Sequence, residues 1–298
     1  MQGSALANRL REMGHYVITY DDNSRGKNRP NSNKSITCDL RNIVPDFYGL
    51  DVVYHLAARI GGVKFTKGGE DLSIMLDNAS IDNNVLRGAI KADVGHVVFA
   101  SSASVYPLDR QLKFGEVLRE GDNLNVYDLE SGYATCKLST EMMMYRLSYA
   151  RKQTSISVLR LFNVYGPGED LGASSHVIPE LFRKTLNDKE VKVYGDGRQE
   201  RCFLYVDDAV DAFVKVLDNH YGGPLNIGSS EIVTIKELAE NIVRISGTDK
   251  RIIYDTFSPT GMLSCLPNVM LAKEVLGWTA KTPLYEGLKK TMEWIKSC

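Results

Sequence analysis

The chain has 298 residues, enough for one large α/β domain or a domain with a smaller lobe. Its 36 basic and 37 acidic side chains nearly cancel, so no net field draws it to nucleic acid, and no basic stripe with interleaved aromatics stands out. The 5 cysteines lie far apart without a CxxC pair, no apolar run approaches the roughly 18 residues that cross a bilayer, and no signal-peptide layout opens the chain; a reduced, cytoplasmic protein acting on a small ligand is expected.

The first element reads as the second half of a nucleotide-binding βαβ unit. Gly3-Ser4 leads into the apolar-periodic "ALANRLREM", Gly14 closes it, and "YVITY" runs into Asp21. In a doubly wound sheet the first strand lies at the centre, between the second and the fourth. The pattern therefore predicts an upstream strand and glycine turn of about 10 to 15 residues, with Met1 internal to a longer chain. The alternative is a true start whose central strand is supplied elsewhere or absent.

Further β-branched runs follow: "KSITC" (34–38), "DVVYHLA" (51–57), "HVVFASS" (96–102) and "SISVLRLFNVY" (155–165). They alternate with helix-period segments at 76–92 and 131–151, which predicts an α/β fold with a doubly wound parallel sheet of the Rossmann type, its first strand missing from the sequence. Beyond "NVYGPGE" the texture shortens. "FLYVDDAVDAFVKVLD" reads as one more strand and helix, then come a helix at about 234–246, a strand near "RIIY" and a final helix from "PLYEGLKKTMEWIK". The expected organisation is a dinucleotide-binding domain over 1–165, with 203–218 returning to it, and a discontinuous substrate lobe over 166–298.

Asp21 stands where a carboxylate accepts hydrogen bonds from an adenosine ribose and repels a 2′-phosphate, which favours NAD; Arg25 nearby keeps NADP open. The strongest local pattern is "SGYATCK", which sets Tyr133 and Lys137 four apart on one helix face. An unperturbed tyrosine titrates at about 10. A neighbouring ammonium and an oxidised nicotinamide both favour phenolate, which makes Tyr133 a usable acid/base. Ser102, where a strand ends at the ligand cleft, can hydrogen-bond the substrate hydroxyl that Tyr133 deprotonates. Arg201 offers bidentate donors for a diphosphate, the alternative being a surface salt bridge. His55, inside an apolar strand, reads as a packed core histidine, and no two histidines have metal spacing, so no metal is expected.

In order, Gly3-Ser4, "YDDNSRG", "CDL", "VYHLAA", "SSASVYP", "SGYATCK", "RLFNVYGPG", "GDGRQERCFLYVDD", "NIGSSE" and "LGW" resemble the extended short-chain dehydrogenase/reductase family, in its NAD-dependent nucleotide-sugar epimerase and dehydratase branch. The resemblance runs from residue 1 almost to Trp294. It implies Gly3 at the pyrophosphate, Asp21 at the adenosine ribose, Asp39 and Leu40 flanking the adenine, and Leu56, Ala57 and Ala58 behind the cofactor. It implies Asn78 and Ser101 along the cofactor and Phe162 near the nicotinamide. Ser102, Tyr133 and Lys137 become the catalytic trio, with Gly61, Gly62, Asn163 and Arg201 facing the sugar nucleotide. A homodimer through the helices at about 76–92 and 131–151, as a four-helix bundle, is implied as well.

Details discriminate within the branch. Its dehydratases place an acidic pair just after the catalytic hydroxyl residue, where this chain has Ala103 and Ser104. "HLAARIGG", the proline after "SVY" and "SSHVIPELFRK" are similar instead to the GDP-mannose 3,5-epimerase and GDP-fucose synthase group, which inverts carbons beside a transient ketone with an acid/base pair. One partner there is a cysteine, replaced here by Ser104, whose hydroxyl is a far weaker base than a thiol of about 8.5. The other falls near His176, which reads as proton donor, diphosphate contact or inert loop residue. An arginine that many relatives carry before the final helical region is replaced in a stretch holding Leu263 and Cys265, and Asn268 stands where an aspartate is usual. The expected activity is NAD-dependent epimerisation of a nucleoside-diphosphate sugar through a keto-sugar, at C4 or at C3/C5. The alternatives are a dehydratase, decarboxylase or reductase of the same family, or a silent binding protein that has lost its Gly-rich loop.

Overall fold

A computed structural model describes residues 1–25, 30–60, 69–172, 175–219, 221–258 and 260–298. Gly3 and Ser4 fall inside the first helix, α1 (Gln2–Glu12), after which Gly14 takes the left-handed φ of 88° that turns the chain into β1 (Ile18–Asp21). The strands β2 (Lys34–Thr37), β3 (Val52–His55) and β4 (His96–Ser102) follow, with α2 (Asp71–Lys91) between the last two. A 3₁₀ turn (Ala103–Val105), α3 (Leu108–Gln111) and β5 (Val117–Leu118) precede α4 (Gly132–Ala150) and β6 (Ser155–Leu161).

The later elements are shorter. They are β7 (Val164–Tyr165), α5 (Val177–Asn187), β8 (Val191–Tyr194), β9 (Glu200–Cys202), β10 (Leu204–Tyr205), α6 (Val206–Lys215) and β11 (Pro224–Ile227). After them come β12 (Ile232–Thr234), α7 (Ile235–Ser246), β13 (Ile252–Asp255), β14 (Ser264–Pro267), α8 (Met270–Leu276) and α9 (Leu284–Ser297).

The central sheet is parallel, in the order β11-β6-β4-β3. Residues 96–101 of β4 are all buried, which is why its sequence reads apolar on both faces. Strands β1 and β2 pair in parallel as a separate ribbon, so among the described residues β1 and β3 each end a sheet. The doubly wound α/β architecture expected from the alternating runs is the one found. The long run at 155–165 is one exception in detail: it breaks at Phe162-Asn163, where Asn163 takes a φ of 42°, and β7 leaves to pair with β10. The helix expected from 76 begins at Asp71, because Leu72 and Leu76 in its first turns face outward and hide the apolar rhythm.

Three of the four apolar cores among the described residues hold these helices in place. Leu6 and Leu10 of α1 share one with Ala209, Val210 and Phe213 of α6, so the returning helix lies against the first. Val85, Phe99, Met144 and Ile156 join α2, α4 and the sheet. Leu181, Phe182, Leu238, Ile242 and Leu288 join α5, α7 and α9. Each helix thus buries one stripe, and α7 is set by a capping box between Thr234 and Glu237.

Candidate active site

Strand β4 delivers Ser102 at its carboxyl end, the edge where ligands bind in open parallel sheets. The Ser102 hydroxyl accepts the Ser104 amide (3.2 Å) and the Ser104 hydroxyl (3.0 Å), starting the 3₁₀ turn. Helix α4 packs alongside, and Ser131 caps its N-terminus by accepting the Ala134 amide (3.3 Å). One turn of α4 then separates Tyr133 from Lys137. The Lys137 ammonium donates to the Ala100 carbonyl (2.8 Å) and lies 4.5 Å from the Phe99 ring centroid and 5.6 Å from that of Tyr133.

Burial pushes the Tyr133 phenol well above the ordinary tyrosine range, opposed by a hydrogen bond with Ser102 and reinforced by the Asp82 carboxylate. From the chain's own groups the phenol is therefore neutral at pH 7. The lowering expected from Lys137 does not overcome desolvation, and phenolate needs the further positive charge of an oxidised nicotinamide. Lys137 itself is buried, and desolvation moves it down while Asp82, Cys136 and Glu141 pull it up.

Several residues expected along a cofactor are turned inward. The Phe162 side chain is 0% exposed and packs in a core with Val105, Tyr106 and Leu118. The Ser101 side chain is buried and donates to Glu141, and Leu40 is buried in the core behind α2. Both side chains face the interior. Asn78 is buried too, but at a useful place: its amide accepts the Arg59 N–H (2.7 Å) and donates to the Arg59 carbonyl (2.9 Å), pinning the segment after β3.

Others stay available. Asp21 is exposed at the end of β1, where it accepts the Asn23 amide (2.7 Å). A Cβ on Gly3 would meet nothing within 4 Å, so open space lies beside the start of α1. Leu56, Ala57 and Ala58 line the half-buried exit of β3. Asp39 is held by Arg41 (2.8 Å) and Asn42 (2.9 Å), and hydrogen bonds from Arg41 hold its carboxyl below the usual range. An exposed strand-end carboxylate and a small-residue strand exit fit an adenosine diphosphate. Gly61 and Gly62 lie outside the described residues.

On the opposite side, Arg25 donates to the Ile60 carbonyl and acts electrostatically on His176, so it points toward the segment after "GPGED". His176 precedes the first residue of α5 without capping it through its side chain, and its Nδ1 meets Glu169 Oε1 at 2.8 Å. Burial lowers its basicity, but the Glu169 contact prevails and holds the imidazole above its ordinary value. Arg201 is held by the carbonyls of Glu200 and Met262 (2.8 Å each) rather than by a carboxylate, which argues against the surface salt bridge. Desolvation lowers its pKa, the mark of an enclosed cation. Asn163 spends one amide hydrogen on the Cys202 carbonyl (3.0 Å), tying β9 to the sheet end. Leu263, Cys265 and Asn268 belong to the β14 segment; Cys265 is buried and Asn268 caps the Met270 amide (3.0 Å).

Three groups escaped the sequence reading. Glu169 sits behind His176; Asp82 bonds His55 (2.7 Å) and Thr140 (2.6 Å); Glu141 and Arg160 form a buried ion pair (2.7 Å) extended through Tyr106 to Asn226. A charged residue inside an apolar strand, as Arg160 is, was the available signal. Among the described residues no cluster of metal-ligating side chains occurs, and no helix is long and apolar enough to cross a membrane.

Residues 1–228 match the NAD dependent epimerase/dehydratase family. The chain belongs to that family. Its expected resemblance is borne out across its length: it is 32% identical to a UDP-N-acetyl-alpha-D-glucosaminuronate decarboxylase of Bacillus cytotoxicus over 99% of this chain and 94% of that protein. It is equally 32% identical to GDP-mannose 3,5-epimerase 1 of Oryza sativa subsp. japonica, over 99% of this chain and 79% of that one. In three dimensions it is similar to UDP-glucose 4-epimerase of Thermotoga maritima, with a TM-score of 0.88 at 26% identity, covering 100% of this chain and 96% of that one. This NAD-dependent family thus spans epimerases and decarboxylases among the chain's relatives, and the shared frame is the Rossmann sheet with its strand-end cleft.

Proposed function

We propose that this protein epimerises a nucleoside-diphosphate sugar through a transient keto-sugar, between the carboxyl end of β4 and the separate segments that carry His176 and Arg201. The observation that carries the reading is the meeting of Ser102, Tyr133 and Lys137 at that strand end. NAD, when bound, supplies the hydride acceptor and later the donor. Tyr133 takes the proton of the sugar hydroxyl and returns it; Ser102 holds that hydroxyl in line; Lys137 holds positive charge beside the phenol. Arg201, enclosed and without a carboxylate partner, receives the diphosphate. The trio alone suffices for inversion at C4. Inversion at C3 or C5 needs Ser104 and His176 as acid and base, and Ser104 already donates its hydroxyl to Ser102.

A panel of UDP-, GDP-, CDP- and dTDP-hexoses and hexuronates, incubated with NAD in deuterated water and followed by NMR, tests this. A C4 epimer without solvent deuterium supports the trio acting alone, and deuterium at C3 or C5 brings in Ser104 and His176. Loss of carbon dioxide from a hexuronate would move the reading to a decarboxylase. No product, with no NAD released on denaturation, would leave a binding protein.

The partner in this reading is a second copy. Helices α2 and α4 pack together and turn outward Leu72 (65% exposed), Leu76, Met142, Tyr145 and Tyr149 (73% exposed), an apolar strip at i, i+3, i+4 and i+7 spacing. Leu76→Glu with Tyr145→Glu is expected to convert a dimer to a monomer in light scattering at micromolar concentration. A wild-type chain that is already monomeric there would remove the dimer.

A further inference from the structure

Beneath the proposed acid/base pair lies a buried group that the reaction as written does not use. His55, Asp82, Thr140 and Lys137 are each at most 3% exposed. Asp82 is gripped from two sides: His55 Nε2 lies 2.7 Å from one carboxylate oxygen, and the Thr140 hydroxyl donates to the other at 2.6 Å. Thr140 stands three residues beyond Lys137 on α4, on the same helix face. The Phe99 ring is shared, with His55 at 5.4 Å between centroids and the Lys137 ammonium at 4.5 Å. Three elements, β3, α2 and α4, therefore bring the Asp82 carboxylate and the Lys137 ammonium into a single buried cluster.

The hydrogen bonds fix where the charge resides. His55 Nδ1 is buried and has no partner among the described residues, so a proton there would be unsatisfied. The tautomer with hydrogen on Nε2, donating to Asp82, satisfies the ring's one donor. The Asp82 charge is then oriented by His55 but not cancelled by it. The other nearby carboxylate, Glu141, already forms a close ion pair with Arg160. Lys137 has only a neutral carbonyl as its hydrogen-bond acceptor, and a buried ammonium without a counter-charge sheds its proton. Hydrogen bonding to His55 and Thr140 together with the Lys137 charge holds the Asp82 carboxyl down against its burial.

We propose that Asp82, oriented by His55 and Thr140, is the buried counter-charge that keeps Lys137 an ammonium, and so is a positioning residue for the Tyr133–Lys137 pair. It deepens the functional reading above and rests on it only for the catalytic consequence. The charge relation itself is a property of the folded chain. Asp82 acts on Tyr133 with the opposite sense, holding its proton. The dyad therefore favours a charged lysine beside a protonated phenol until substrate and NAD arrive. The titratable groups facing the pocket are His55 from β3, Tyr133, Cys136 and Glu141 from α4, and Asp82 from α2, with Arg160 of β6 behind Glu141.

The test is a stability cycle that needs no substrate. Asp82→Asn keeps the shape and can still accept from His55, but removes the charge. Lys137 then has a folded pKa lowered further below its unfolded value, a penalty present in full below the folded pKa and relieved as pH rises through it. The urea midpoint of Asp82→Asn is expected to fall below wild type at about pH 7 and to close on it toward about pH 10, near the unperturbed lysine value. In a Lys137→Met background the Asp82→Asn shift should be smaller and lose this narrowing, whereas Thr140→Val should cost the same at every pH. If Asp82→Asn alone does not fold, adding Lys137→Met should recover a cooperative transition. Additive, pH-independent losses from Asp82→Asn and Lys137→Met, or no recovery in the double variant, would overturn the proposal. These readouts are independent of whether Tyr133→Phe abolishes turnover.

Discussion

Tyr133→Phe is expected to lower turnover of the sugar substrate by about 10²- to 10⁴-fold, the usual contribution of a positioned general acid/base. The substitution keeps the ring beside the Lys137 ammonium and removes only the hydroxyl that meets Ser102, so folding and NAD affinity should change little. The wild-type rate should carry the same signature in pH. Burial and the Asp82 charge hold the phenol protonated, so kcat/KM rises with pH until the phenol ionises in the presence of oxidised cofactor. Steady-state rates on the substrate found by the NMR panel, with binding measured by calorimetry, check both. Turnover unchanged in the Phe variant would dismiss Tyr133 as the base.

The largest stability effect is expected at Arg160. Its guanidinium holds Glu141 through Nη2 (2.7 Å) and Nε (3.0 Å), and reaches the Tyr106 hydroxyl (3.1 Å), which in turn donates to Asn226 (2.7 Å). Burial pushes that tyrosine up to about 12, so it stays a neutral bridge. Arg160→Met leaves the Glu141 carboxylate buried with only the Ser101 hydroxyl, and should cost about 3–5 kcal/mol in urea unfolding. Glu141 in that variant has a folded pKa raised above its unfolded value. The stability is therefore retained at low pH and lost as pH rises through the raised pKa, so the deficit grows from about pH 4 toward neutrality. Adding Glu141→Gln should restore most of it. A pH-independent deficit would mean that lost packing, not the stranded charge, dominates.

Much of the molecule was legible before the fold. The run "HVVFASS" became β4 residue for residue, because a strand covered on both faces must be apolar at every position. The Tyr133–Lys137 pair was legible because helical geometry alone puts i and i+4 on one face. Phe162 was not: whether an aromatic at a strand end faces a ligand or the core depends on a break in the strand, and Asn163, with its left-handed backbone, makes that break. Ser101 and Ser102 are adjacent and chemically identical, yet the alternation of a strand sends one to Glu141 and the other to the cleft.

The sequence by itself determined the periodicities, and through them the parallel sheet, its covering helices and the shared helix face of Tyr133 and Lys137, since these follow from interactions a few residues apart. Only the tertiary structure brought His55, Asp82 and Lys137 into one pocket, and Glu169 behind His176. Burial and the sign of a neighbouring charge, not residue type, set the proton on a side chain, and both arise between segments that the chain order keeps far apart.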